Sequence, residues 1–313
     1  MKKLPKLVLG QKPIYRKIAE DLDFFALFQK IEQQFDTCFL FESLGEEGTF
    51  ARYSIIGFDP KHLISARKKI LVIDGKSYEV ENPYASLQEI MPRQTIARDY
   101  AGGLVGYLNY DAVNYFEPSV SVKIHKDFDQ FLFGFYTDGL VFDKLTNELF
   151  YFFYDDNRES LVKDILVSKL KKRDKLEVTF LKNSLTKKEF INDVEKVKEH
   201  IVSGNTFQCE VGFKSFYKTT GDIVKIYERL REMNPSPFMY YVKFGEKKII
   251  GASPELLFSL RDGELTTRPL AGTITRGKSE KEDKKLARIL LTDPKERAEH
   301  TMLVDLHRND IGR

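Results

Sequence analysis

Tryptophan is absent from the 313 residues, cysteine occurs only twice and histidine five times. The two cysteines, Cys38 and Cys209, cannot build a disulfide framework and lack the close spacing of a zinc or redox motif, so a reducing cytoplasm is the expected setting. Excess charge of one sign is lacking as well. Lys and Arg number 50 against 47 Asp and Glu, and this net of +3 is spread along the chain, which leaves no electrostatic footprint for nucleic acid or anionic lipid. No run approaches the ~18 uncharged apolar residues that suggest a membrane span. In the opening MKKLPKLVLGQKPIY, Pro5 and Lys6 break the apolar run, so neither export nor membrane insertion is expected. What is present is a globular composition, 42% hydrophobic and 13% aromatic, in a chain long enough for two domains.

The first half alternates short apolar runs with turns. In KILVIDGKSYEV, Asp74 and Gly75 separate two alternating runs and both tolerate positive φ, a strong hairpin signal. A second hairpin is expected in DGLVFDKLTNELFYFFYD, turning near Thr146 and Asn147. NRESLVKDILVSKLKKR reads as a helix with Leu161, Ile165 and Leu170 on one face. The polar segment from Lys182 to Ser184 is the expected boundary between a sheet-rich domain over 1–182 and a second domain over 183–313. Thr186 and Glu189 then stand in capping-box spacing before a helical stripe that closes at Gly204. An extended FQCEVGFKSFYK, a helical GDIVKIYERLREMN and strands in FMYYVKFG, KKIIGAS, ELLFSL and ELTTRPL follow, and the mixture predicts an α+β architecture with large sheets.

The last stretch, LTDPKERAEHTMLVDLHRNDIGR, is the most informative. Asp293 suits an N-cap, Pro294 the first helical position and Glu296 the capping-box position. Glu296, Glu299, Leu303 and Leu306 follow one helical stripe, so two acids share a line with two leucines that should face inward. Carboxylates away from water need partners, and two acids three residues apart suit Mg²⁺, which takes oxygen ligands and keeps sites open for an anionic substrate. A second reading stays open, in which Glu296 only caps the helix and Glu299 pairs with Arg297 or Lys295 at the surface. Upstream, Gly251, Gly272 and Thr273 would let backbone amides approach an anion, while Glu255 follows a Pro that fixes the entry of the chain.

In this order, GLVGYLNYDAV, NPSPFMYYV, GASPELL, TTRPLAGTITRG and DPKERAEHTMLVDLHRNDIGR closely resemble the chorismate-utilising enzymes, above all the large subunits of anthranilate synthases. The resemblance implies a lyase in which Mg²⁺ is the cofactor, chorismate the substrate and ammonia, delivered by a glutamine amidotransferase partner, the co-substrate. Anthranilate and pyruvate would be the products. It implies metal ligands at Glu296 and Glu299, substrate contacts at Gly272 and Thr273, and a buried acid at Glu255 that protonates the departing C4 hydroxyl. Gln208 stands where isochorismate and salicylate synthases carry a water-activating lysine, and Ala271 where aminodeoxychorismate synthases carry a nucleophilic one. An aminodeoxychorismate synthase is therefore the disfavoured alternative.

FLFESLGEEGTFARYSIIG resembles the element at which tryptophan inhibits anthranilate synthases, with Glu42 and Ser43 on one wall and Pro237, Phe238 and Met239 on the other. The competing reading makes Phe39, Phe41 and Tyr53 core positions of an edge strand. The missing tryptophan fits an enzyme made during tryptophan shortage. In the resemblance a catalytic histidine and a second pair of metal carboxylates lie beyond Arg313. The 313 residues are accordingly expected to be a partial chain, inactive alone, or else a remnant that binds tryptophan or the amidotransferase.

Overall fold

The computed structural model describes residues 3–10, 12–44, 52–92, 100–117 and 119–312. Residues 45–51, within the expected inhibitor element, and Arg313, at the end of the last motif, lie outside the described residues.

The larger of two compact units comprises residues 1–169 and 230–313 and is built on two antiparallel sheets. The seven-stranded sheet runs β1 (Ile14–Glu20), β10 (Glu148–Phe153), β9 (Asp138–Asp143), β3 (Tyr53–Phe58), β2 (Thr37–Glu42), β13 (Phe238–Phe244), β14 (Lys247–Ser253). The five-stranded sheet runs β6 (Lys76–Glu79), β5 (Ile70–Ile73), β4 (His62–Arg67), β8 (Phe131–Tyr136), β7 (Gly103–Leu108). Phe39 of β2, Val105 of β7, Tyr136 of β8 and Val242 of β13 join in one buried cluster, so the sheets pack face to face. Helix α1 (Phe24–Glu32) buries Phe28 and Ile31 completely, and α2 (Pro83–Ile90) seals the other sheet through Leu87 and Ile90. β15 (Leu256–Arg261) and β16 (Glu264–Arg268) form a hairpin, followed by α6 (Glu280–Thr292) and α7 (Pro294–Ile311).

Helix α3 (Glu159–Val167) buries Val162 and Ile165. It stops before Leu170, which is exposed, because Ser168 leaves the helical backbone region. Its start is held by Arg158, whose Nε and Nη2 lie 2.9 and 2.7 Å from the buried Asp138 carboxylate, while Tyr151 donates to the same carboxylate at 2.8 Å.

The smaller unit, residues 170–229, contains the ribbon β11 (Glu177–Asn183) with β12 (Ser215–Thr220), helix α4 (Lys187–Val202) and most of α5 (Val224–Met233). Residues 182 and 183, the expected domain boundary, fall inside β11, and pairing to β12 holds them within this unit. The contact units divide at 169/170 and 229/230 instead.

Asp74 and Gly75 have φ of 49° and 76° in the β5–β6 turn, Asn147 has 59° between β9 and β10, and Gly204 has 76° after α4. Thr186 and Glu189 form the complete capping box. Two expectations change. β2 is an interior strand between β3 and β13, not an edge, so Phe39 is fully buried. The strand expected over 207–218 begins only at Ser215.

An ion pair between the exposed Arg52 and the buried Asp143 contributes to the acid sensitivity of the larger unit. Arg52 Nε lies 3.1 and 3.0 Å from the two Asp143 oxygens and its Nη2 lies 2.6 Å from Oδ2, and this fork holds the Asp143 carboxyl below its ordinary 3.8. A depressed carboxyl contributes stability that is fully present above 3.8 and lost as pH falls through the folded-state value. Asp143→Asn should cost about 2 kcal/mol at neutral pH and flatten the stability profile below pH 5, as read by urea unfolding across the acid range. An unchanged acid slope would show that Asp143 does not carry this dependence.

Candidate functional site

The patch bearing the predicted catalytic residues begins at the β14–β15 corner. Glu255 Oε1 accepts the backbone N–H of Leu270 at 3.2 Å, which fastens the start of β15 to the segment leaving β16. Ala271 and Gly272 come next in that segment and are half-buried. Across from them stands the first turn of α7. Asp293 caps this helix by accepting from the amides of Lys295 and Glu296 at 2.8 and 3.1 Å, with Pro294 at the first helical position.

The Glu296 carboxylate lies directly against Gly272. A Cβ at Gly272 would stand 1.7 Å from Glu296 Oε2 and 2.6 Å from its Cδ. Gly272 is not among the described glycines with positive φ, so room for the carboxylate, and not backbone conformation, is what requires glycine here. This contact separates the two readings of Glu296. Its amide completes the cap, but its side chain is aimed across at Gly272, and among the described residues neither Glu296 nor Glu299 forms an ion pair.

The expected stripe is present in weakened form. Glu296, Glu299, Leu303 and Leu306 are all half-buried, yet α7 has no buried residue. Glu255 is exposed, contrary to the expectation of a buried acid, because the β15–β16 hairpin has only two strands and none of its residues is buried. Thr273 is exposed. Gly251 serves packing: a Cβ there would stand 2.2 Å from the Tyr240 hydroxyl on the paired strand. Gln208 belongs to the smaller unit, where it is exposed and its carbonyl accepts from Thr206 Oγ1 at 2.9 Å.

Glu296 and Glu299 offer oxygen donors on one helical face, a set that suits Mg²⁺ sharing its coordination with an anionic ligand. Among the described residues no cluster of three or more His, Cys, Asp or Glu side chains could hold a metal.

A second group of predicted residues is assembled by strand pairing. β2 and β13 run antiparallel with Glu42 opposite Met239, and Ser43 Oγ donates to the Pro237 carbonyl at 2.6 Å. Glu42 is buried and gripped by Arg231, whose Nε and Nη2 lie 2.7 and 3.0 Å from its two oxygens. The Arg231 guanidinium also stacks over Phe25 at 4.3 Å. Lys144 donates to the Ser43 carbonyl, and burial pushes its ammonium down in pKa while the Glu42 charge acts the other way. Sequence reasoning missed Arg231 and Lys144, since nothing local in the chain signals a partner 189 or 101 positions away.

Only the flexible end of Glu296 must move to admit a methyl group at position 272. Gly272→Ala should therefore cost no more than about 1 kcal/mol yet displace the Glu296 carboxylate, shifting its side-chain ¹³C resonance. An unchanged resonance would contradict the contact.

With this geometry in place, comparison with known proteins identifies relatives. Residues 36–313 match the family described as chorismate binding enzyme. Anthranilate synthase component 1 of Leptospira biflexa is 49% identical over 316 residues, covering 99% of this chain and 68% of the relative. The protein of the same name from Methanothermobacter thermautotrophicus is 35% identical, covering 98% and 67%. The crystal structure of anthranilate synthase component I from Streptococcus pneumoniae TIGR4 superposes with a TM-score of 0.71 at 31% identity, covering 85% of this chain and 63% of that one. The menaquinone-specific isochorismate synthase of Escherichia coli, at 14% identity and a TM-score of 0.56, shares the fold. The chain thus spans about two thirds of the length of the relatives it matches. A half-buried carboxylate helix set against a glycine, in an α+β chain matching this family over most of its length, makes it a member of the chorismate binding enzyme family.

Proposed function

We propose that this chain is the chorismate-converting part of an anthranilate synthase component 1, forming anthranilate, pyruvate and water from chorismate and ammonia. The observation that carries the proposal is the meeting of Glu255, the Leu270–Gly272 segment and Glu296 on one patch, in a chain 49% identical to a protein of that name. The reaction adds the nitrogen of ammonia to a ring carbon, expels the C4 hydroxyl as water and then releases the enolpyruvyl side chain as pyruvate.

Glu255 is suited to protonate the departing hydroxyl. Its Oε1 is fixed by the Leu270 amide and the residue remains open to a ligand. Glu296 and Glu299 would hold Mg²⁺, which supplies positive charge to bind and orient a substrate carboxylate. Gly272 keeps the space beside Glu296 clear of a side chain, and Thr273 presents a hydroxyl on the same segment. Ala271 leaves no amine to compete with ammonia for the ring, and Gln208 supplies no base for activating water, so amination to anthranilate is favoured over both rival chemistries.

The partner in this reading is a glutamine amidotransferase subunit that supplies the ammonia. The group around Glu42, Ser43, Pro237, Phe238 and Met239 is the regulatory site for tryptophan, an amino acid whose α-ammonium and α-carboxylate call for both an acid and donors. A cytoplasmic location fits a chain with only two cysteines, too few for a disulfide framework.

Product analysis of the enzyme carrying this chain, with chorismate, Mg²⁺ and ammonia, tests the assignment. Anthranilate and pyruvate should accumulate together, and Ala271→Lys should lower their formation by about tenfold or more. Isochorismate or aminodeoxychorismate as the end product would overturn it.

A further inference from the structure

Within the β15–β16 hairpin the register shifts between the pairs Leu256↔Arg268 and Ser259↔Thr266. In that shifted stretch Thr267 Oγ1 lies 2.8 Å from the Leu257 carbonyl oxygen and 2.8 Å from His307 Nδ1 on α7. A hydroxyl has one proton, and a carbonyl only accepts. The Thr267 proton therefore goes to Leu257, and the contact with His307 requires the ring to donate from Nδ1. In the neutral imidazole this leaves the lone pair on Nε2.

We propose that His307 is a positioning residue, locked as the Nδ1–H tautomer, that lays α7 antiparallel along the chain leaving β16 and thereby sets Glu296 against Gly272. Two lengths support this. Positions 296 and 307 are eleven residues, about three turns, apart, so they share one face and lie roughly 16 Å apart along the helix. Thr267 and Gly272 are five residues apart, a span of about 16–18 Å when the chain is extended. The contacts Thr267–His307 and Gly272–Glu296 therefore match as two rungs between a helix and an extended segment running in opposite directions.

Helix α7 buries no residue, so apolar contact alone fixes its direction weakly. One rung would allow it to pivot, whereas two separated rungs define an axis. The role assigned to the Glu296 face rests on the proposed function, but the lock itself does not.

The test uses the full chain at a pH where the ring is neutral. Long-range ¹H–¹⁵N spectra should show His307 as the Nδ1–H form. His307→Asn, whose amide nitrogen can replace Nδ1, should retain the Glu296 carboxyl ¹³C resonance and the α7 exchange protection. His307→Ala and His307→Gln should shift the resonance and reduce protection by about tenfold. An Nε2–H tautomer in the unmodified chain, or an unmoved Glu296 resonance in His307→Ala, would overturn the lock. Magnesium titration of the same proteins separates the two ideas. No Mg²⁺ response in the unmodified chain would reject the metal role of Glu296 while the tautomer and resonance data still decide the lock.

Discussion

The antiparallel pairing of β2 with β13 is the constraint on which the rest of the larger unit depends. It joins segments separated by 194 positions at the Ser43–Pro237 contact, and it brings residues 230–313 into the unit formed by the first 169. Closing so large a loop costs configurational entropy, though the cost grows only logarithmically with length. Here it is offset by a full ladder of backbone hydrogen bonds and by the burial of Phe39, Leu40, Met239 and Tyr241. β14 is then added at the sheet edge, and the chain emerges at Ser253 with the β15–β16 hairpin to follow.

The same pairing explains the charges around Glu42. A carboxylate at the end of an interior strand cannot be solvated freely, and it is held by the planar fork of Arg231 from the last turn of α5. A guanidinium presents two parallel donors and stacks on an aromatic face, and Phe25 supplies that face. Lys144, from the turn after β9, completes the surroundings by donating to the Ser43 carbonyl. The group thus holds both signs of charge at the end of one interior strand.

The patch around Glu255, Gly272 and Glu296 is organised differently. Its residues come from a two-stranded hairpin and a helix without buried side chains, so individual polar contacts matter more than packed area. Glu255 to the Leu270 amide, Asp293 to the first amides of α7, Thr267 to Leu257 and His307, and the close approach of Glu296 to Gly272 are each local. Together they place three chain segments whose acids and small residues can address one anionic ligand.

The sequence by itself determined the elements whose causes are local. Asp74–Gly75, Asn147, the Thr186–Glu189 box and the Asp293–Pro294 start all appear because φ preferences and capping act within four residues. The stripe of Glu296, Glu299, Leu303 and Leu306 was legible for the same reason, and the ordered motifs identified the family. Only the tertiary structure decided that β2 is interior, that residues 182–183 belong to a ribbon with β12, and that Glu255 is exposed. It alone paired Arg231 with Glu42 and His307 with Thr267, and it turned Glu296 from a cap toward Gly272. Each of these depends on which distant segment stands opposite, a matter of strand order and register, and no periodicity within a single segment encodes it.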